Sequence, residues 1–257
     1  GWNQIKDHRD DLPFLHAGSA TAITTVAPST TAAALTSIAT GVPPGEHGVI
    51  GYKIPTPQGL MNSLRWSVGG QSMVGELPPI DFQPIEPFLG TNPPTITRAE
   101  FKTTGFTQAH LRNGKFRGWW SPATLVTEII DQVETGATFV YAYYDGVDTI
   151  GHVHGFDRHY QDELKFVDAL VERIFQELPD DAALLVTADH GMVEVGDRTL
   201  QLEDEIVHRT SMTSGEARFL WLHADSGGAE SLEGAAQLHS DVAWIVSLEQ
   251  ILDERWF

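Results

Sequence analysis

The chain has 257 residues, of which 41% are apolar and 20% charged, a composition typical of one large globular α/β domain. It carries 35 acidic and 16 basic side chains, for a formal net charge of −19. A field of that sign repels nucleic acid polymers and anionic membranes but attracts metal cations. Cysteine is absent, which excludes disulfides, thiolate metal sites and cysteine nucleophiles. No transmembrane segment or signal peptide is visible, so the compartment stays unknown, with the cytoplasm as the default expectation.

The first half of the chain predicts a short strand, a helix of small residues and a long region rich in loops. Residues Thr21–Val26 are rich in Thr, Ile and Val and predict a strand that Pro28 interrupts. Thr31–Ala39 predicts a helix that ends at Gly41. Most of the prolines lie between residues 42 and 100. We therefore expect a cap insertion at about residues 53–118 within a single domain of residues 1–257.

The second half of the chain predicts alternating helices and buried strands. Thr138–Tyr144 and Ala182–Thr187 are apolar runs typical of buried strands, and residues 157–178 between them repeat apolar side chains at helical spacing. A strand, a long helix and a strand form a βαβ unit, so the expected fold is α/β with three αβα layers and a mostly parallel central sheet. Further elements are predicted at Pro122–Thr135 (helix, capped by Ser121), Arg218–His223 (strand), Glu230–Leu238 (helix) and Leu248–Glu254 (helix).

Two pairs of aspartate and histidine follow the two predicted strands. Asp148 and His152 come after the first strand, and Asp189 and His190 come directly after the second. Ligands of open α/β sheets collect at the carboxyl ends of strands, and carboxylate with imidazole suits Zn²⁺, Mn²⁺ or Fe²⁺. Each pair alone is equally consistent with a polar turn whose aspartate caps a helix. Two such pairs at neighbouring strand ends favour metal binding.

A third segment, Pro28 to Gly41, places a threonine cluster at a helix start. Backbone N–H groups and the helix dipole at such a position stabilise an alkoxide or a phosphate oxygen. A threonine hydroxyl becomes a nucleophile only when a base or a metal lowers its pKa. Without that help, Ser29, Thr30 and Thr31 are ordinary helix-capping residues.

The order of these motifs resembles the alkaline phosphatase superfamily, and in particular the bacterial type I phosphodiesterases and nucleotide pyrophosphatases. The resemblance rests on TTVAPSTTAAALTSIATGVPPGEHGVIGY, then DTIGH, then TADHGM, and spans about residues 1–223. It implies an alkaline-phosphatase-like fold and a nucleophile at Thr31, ten residues before Gly41. It also implies that Asp148 and His152 ligate one zinc ion, while Asp189 and His190 ligate a second zinc that also touches the Thr31 oxygen.

The chain departs from that family pattern in its metal ligands. The family has a metal-binding aspartate in its first strand and a late metal-binding histidine in a His-Gly motif, and neither is present here. His208, His223 and His239 lack that motif and are weak substitutes. We therefore expect a chain truncated at both ends. His47, in the family's His-Gly pair after the nucleophile helix, is expected to be structural.

The phosphate pocket also departs from the pattern. Nucleotide pyrophosphatases carry an asparagine twenty-one residues after the nucleophile, where this chain has Tyr52, and Asn62 is a candidate replacement donor. Trp66, Trp119 and Trp120 are expected to pack rather than to stack on a base.

The resulting functional prediction is a metal-dependent hydrolase of phosphodiester or pyrophosphate bonds. It would use two divalent metals, Zn²⁺ or Mn²⁺, and a small phosphate-ester substrate, with no nucleic acid polymer or membrane as partner. The alternatives are a catalytically incompetent fragment, a non-enzymatic relative, or a phosphomonoesterase or phosphonate hydrolase of the same superfamily. The substrate alcohol, the oligomeric state and the native metal are left open. The nucleophile motif of sulfatases is absent, and a metal amidohydrolase is disfavoured because His152 and His154 do not follow a first strand.

Overall fold

A computed structural model describes all residues from Gly1 to Phe257. None of its helices combines the length and the apolar character needed to cross a lipid bilayer. The α-helices are α1 (Trp2–Asp7), α2 (Pro13–Ala17), α3 (Thr31–Thr40), α4 (Pro44–His47), α5 (Pro79–Phe82), α6 (Gly105–His110), α7 (Pro122–Glu134), α8 (Gly146–His154), α9 (Arg158–Glu177), α10 (Asp204–Val207), α11 (Ala229–Ala236) and α12 (Leu248–Asp253).

Nine strands form two sheets. They are β1 (Lys53–Thr56), β2 (Gly59–Asn62), β3 (Ser67–Val68), β4 (Gln71–Ser72), β5 (Pro94–Arg98), β6 (Lys115–Trp119), β7 (Tyr141–Ala142), β8 (Thr210–Glu216) and β9 (Phe219–Ala224). The larger sheet has the order β4-β3-β2-β1-β8-β9, and all its pairs are antiparallel. The smaller sheet has the order β6-β5-β7 and is parallel.

The fold is therefore mixed α/β, as expected, but the mostly parallel central sheet is not observed. Of the strand predicted at Thr138–Tyr144, only Tyr141 and Ala142 pair with β5. Thr21–Val26 and Ala182–Thr187 form no strand, and Leu185 in the second segment is 88% exposed. The physical reason is that a strand requires a hydrogen-bonded neighbour, and neither segment has a backbone partner that would build a ladder.

The helix predictions fare better because their signals are local. Helix α7 begins with Pro122 after a Ser121 cap, which forms a reciprocal capping box with Thr124. Helix α9 covers nearly the whole predicted range and buries the apolar side of its repeat. The predicted elements near the C-terminus appear as β9, α11 and α12 with shifts of one or two residues.

The main core lies between the parallel sheet and helices α7 and α9. It contains Ile96, Trp119, Leu125, Val126, Ile129, Leu170 and Ile174. The expectation that tryptophans pack is confirmed for Trp66 and Trp119, which are buried, whereas Trp120 is exposed. This core fixes β5 and the start of α8, because Arg98 at the end of β5 binds Asp145, the residue before α8.

Candidate active site

Thr31 is the first residue of helix α3, and the packing of that helix holds it in place. The next residues, Ala32, Ala33 and Ala34, are buried, so small side chains let α3 sit deep in the protein. Thr30 occupies the N-cap position with extended backbone and makes no side-chain capping bond. The free N–H groups of the first turn therefore surround the Thr31 side chain with positive potential.

Asp148 and His152 lie one turn apart on helix α8. Their side chains face each other, with His152 Nε2 3.5 Å from Asp148 Oδ1. Helix α8 begins directly after Asp145, and both carboxylate oxygens of Asp145 accept from Arg98 Nε at 2.7 and 2.8 Å. The Arg98–Asp145 pair thus sets where α8 starts and how it presents Asp148.

Asp189 and His190 lie on an irregular segment that the rest of the chain holds in place. The Thr25 hydroxyl donates to the Asp189 carbonyl, and Gln4 donates to the Met192 carbonyl at 3.0 Å. His190 Nδ1 is 2.8 Å from the Gly191 carbonyl, which can only accept, so Nδ1 carries the proton and a neutral ring keeps its lone pair on Nε2.

The structure brings the three segments together around His190 Nε2. Thr31 Oγ1 lies 3.0 Å from that atom, and the tautomer of His190 makes the threonine hydroxyl the donor. Asp189 Oδ2 and Asp148 Oδ1 lie 3.6 and 3.9 Å from the same nitrogen. Residues more than a hundred positions apart in sequence therefore share one cluster.

Two carboxylate oxygens of this cluster are buried without a hydrogen-bond partner. They are Asp148 Oδ1 and Asp189 Oδ2. Burial raises the pKa of Asp189, partly offset by His190, while the Asp148 charge adds to the rise. Burial and the charges of Asp189 and Asp148 also raise the pKa of Tyr143 above its ordinary range. The cluster thus has an excess of negative charge that nothing within it neutralises.

The spacing of each carboxylate–imidazole pair in this cluster suits two ligands of a divalent metal ion. Unpartnered buried carboxylate oxygens are costly unless a cation or donor satisfies them. Ligand bonds of about 2.0–2.1 Å put neighbouring donors of a tetrahedral zinc site about 3.4 Å apart. The separations of 3.5, 3.6 and 3.9 Å between the imidazole nitrogens and carboxylate oxygens are close to that value. The donor set is two carboxylates, two imidazoles and a hydroxyl.

The candidate pocket residues Tyr52 and Asn62 contact each other rather than Thr31. Asn62 Nδ2 donates to the Tyr52 hydroxyl at 2.6 Å. Both line an open cavity of about 400 Å³, which also contains Lys53 and Arg65. Lys53, which lines the cavity, pairs with Gly215 on β8. The next residue of β8, Glu216, contacts the Thr30 side chain.

Two polar side chains near the cluster carried no signal in the sequence. Glu216 ends β8 beside Thr30 and near His190, and burial raises its pKa while the Thr30 contact lowers it. Asp145 accepts two hydrogen bonds from Arg98. Both depend on contacts across the fold, so spacing along the chain could not have revealed them.

The remaining histidines of interest lie outside the cluster. His47 is fully buried, with Nε2 2.9 Å from the Ser37 hydroxyl and Nδ1 accepting from the Val49 amide, which matches a structural role. His223 bonds Ser214 at 2.8 Å, and His239 is buried against α11. Neither His208, His223 nor His239 lies within ion-pair or hydrogen-bond distance of Asp148, Asp189 or His190.

Comparison with known families identifies the class of protein. The family model of type I phosphodiesterases and nucleotide pyrophosphatases matches residues 1–243, so the chain belongs to this family. The chain is accordingly a hydrolase of the phosphodiesterase and nucleotide pyrophosphatase kind, and divalent metal dependence is a property of that family. No curated protein matches the chain closely enough to count as a relative.

Proposed function

We propose that this chain hydrolyses phosphodiester or pyrophosphate bonds of small phosphate esters with Thr31 as the nucleophile. The observation that carries the proposal is the contact of Thr31 Oγ1 with His190 Nε2, 3.0 Å apart, beside two unpartnered buried carboxylate oxygens. Two divalent metals, Zn²⁺ or Mn²⁺, would be held by Asp148 with His152 and by Asp189 with His190. When bound, they would lower the pKa of the nucleophile and of water and neutralise phosphoryl charge.

The role of Thr31 follows from its position. Thr31 Oγ1 lies 3.0 Å from His190 Nε2, the nitrogen that would hold a metal, so a metal bound there would lower the pKa of the hydroxyl and leave Oγ1 as the atom that attacks phosphorus in line with the leaving group. Oγ1 gives its proton to solvent water and forms a bond to phosphorus as the bond to the leaving oxygen breaks, giving phosphothreonine. Water then hydrolyses this ester and regenerates Thr31. The N–H groups of the first turn of α3 would donate to the phosphoryl oxygens and stabilise their charge.

We propose that the substrate binds in the open cavity lined by Tyr52, Lys53, Asn62 and Arg65. Lys53 and Arg65 give it positive charge in a chain of net charge −19, and Tyr52 with Asn62 supplies uncharged donors. An anionic substrate would therefore be drawn to this part of the surface. We further propose that residues of about 53–118 act as the cap that shapes this pocket within one domain of residues 1–257.

The test is hydrolysis of bis-p-nitrophenyl phosphate by protein stripped with chelator and reconstituted with Zn²⁺ or Mn²⁺. Thr31→Ala should lower kcat by about 10³-fold or more while keeping bound metal, because only the nucleophile is removed. Thr31→Ser keeps a hydroxyl and should retain measurable turnover. Thr30→Ala is the matched neighbour, and its turnover should exceed that of Thr31→Ala.

The same assay separates the alternatives. Full activity of Thr31→Ala would remove Thr31 from the mechanism. Faster turnover of p-nitrophenyl phosphate than of the diester would favour a phosphomonoesterase. Metal bound without turnover of either ester would support a non-enzymatic relative.

A further inference from the structure

The turn between helices α8 and α9 brings together three side chains that have no part in the cluster around Thr31. Helix α8 ends at His154, and Gly155 reverses the chain with a φ of 65°. Asp157 then caps α9, accepting from the His159 amide at 2.8 Å. We call residues 154–159 the elbow.

The elbow places two imidazoles and a carboxylate at ligand spacing. One donor atom from each of His154, Asp157 and His159 lies within 4.8 Å of the other two. The two imidazole rings are stacked, with centroids 4.0 Å apart and an interplanar angle of 17°, so one of these exposed rings has to turn about its side-chain torsions to aim both nitrogens at a single ion. His159 Nδ1 also lies 2.8 Å from Asp157 Oδ2. All three side chains are exposed, so an ion reaches them without any opening of the protein.

These donors are of the type that binds transition metals. Two imidazoles and one carboxylate suit Zn²⁺, Ni²⁺ or Cu²⁺, whereas Mg²⁺ and Ca²⁺ prefer oxygen ligands alone. The His154 ring makes no hydrogen bond within the protein, so both its nitrogens are available. An ion would take the place of the hydrogen now shared by His159 and Asp157, and solvent would complete its coordination. The negative charge of the whole chain adds a general attraction for cations.

We propose that the elbow binds one divalent transition-metal ion through His154, Asp157 and His159, in addition to the two metals proposed beside Thr31. The ion links the last residue of α8 to the first turn of α9. Because α8 also carries Asp148 and His152, this link fixes the helix that presents two residues of the candidate active site.

The experiment counts Zn²⁺ bound to the whole chain, expressed without a histidine tag, by equilibrium dialysis and plasma emission. His154→Ala and His159→Ala should each lose one equivalent relative to the wild type. His208→Ala is the matched control, an exposed histidine outside the elbow, and should lose none. Asp189→Asn should keep the elbow equivalent, so this result does not depend on the proposed function.

A second measurement needs no variant. In the wild-type chain, Zn²⁺ should slow the modification of His154 and His159 by diethyl pyrocarbonate, mapped by peptide mass spectrometry, and Mg²⁺ should not. Equal zinc content in the wild type and both elbow variants, or equal modification with and without Zn²⁺, would overturn the proposal. Equal protection by Mg²⁺ would overturn it as well, since the donor set would then not be selective for a transition metal.

Discussion

Replacing Asp145 with asparagine tests how the protein positions helix α8. Asp145 accepts from Arg98 Nε with both carboxylate oxygens, and the Arg98 guanidinium also lies 4.7 Å from the centre of the Trp119 ring. The substitution keeps the size of the side chain and removes its charge. It therefore breaks the ion pair without creating a cavity.

The expected cost follows from the exposure of the pair. Side-chain exposure is 34% for Arg98 and 16% for Asp145, so the pair lies between a surface ion pair and a buried one. Surface pairs contribute about 0.2–1 kcal/mol, whereas charge-assisted bonds in less exposed settings contribute about 1.5–3 kcal/mol. We expect Asp145→Asn to lower the free energy of unfolding by about 2 kcal/mol, which corresponds to a fall in Tm of about 4–8 °C for a chain of this length.

The assay is a double-mutant cycle with Asp145→Asn, Arg98→Met and the double variant, followed by urea unfolding. The coupling energy between the two positions should be about 1.5 kcal/mol or more. If the effects of the two substitutions add to within about 0.5 kcal/mol, the pair does not hold α8, and the reasoning is wrong. Asp145→Asn should also weaken metal binding, because Asp148 follows on the same helix.

Three further predictions follow from buried groups. Burial raises the pKa of Asp189 above its ordinary 3.8, so the metal-free folded state loses stability as pH rises above that value. At neutral pH, metal-free Asp189→Asn should therefore unfold at a higher urea concentration than the metal-free wild type. The reverse order would contradict the burial argument. Burial lowers the pKa of His47 and of His110 from 6.5 to about 4. Each histidine therefore contributes a free energy of unfolding of about 3 kcal/mol that is lost as pH falls from 6.5 towards 4. A urea midpoint that stays constant over that interval would contradict this prediction. An added Cβ at Gly105 would collide with the buried Trp66 side chain, whereas Gly75 has open space, so Gly105→Ala should cost about 1–3 kcal/mol and Gly75→Ala should have little effect on thermal unfolding.

The proximity of the candidate site residues was more predictable than the pairing of the strands. The sequence placed Asp148 and His152 one helical turn apart, and the structure has them facing each other on α8. Their convergence with Thr31 and His190 was implied by the family resemblance rather than by spacing, since about 160 residues separate the two ends of that contact. The assignment of ligands to each metal and the role of Thr31 stay predictions.

The mostly parallel sheet was expected because apolar runs such as Ala182–Thr187 look like buried strands. An apolar run indicates that a segment can be buried, but it does not indicate that a neighbouring strand will pair with the backbone of that segment. In the structure, Ala182–Thr187 pairs with no other strand. The sheet instead contains pairs such as β1 with β8, which lie more than 150 residues apart in sequence.

The sequence by itself determined the features that depend on neighbouring residues. The Ser121 cap, the amphipathic α9, the start of α3 at Thr31 and the family motifs can all be read locally, because a helix satisfies its backbone within one segment. Only the tertiary structure decided which strands pair, that Arg98 holds Asp145, and that His154 meets Asp157 and His159 across a turn. Those contacts depend on how separate segments of the chain pack against one another. The sequence next to a side chain does not indicate which residue it will contact in the folded protein.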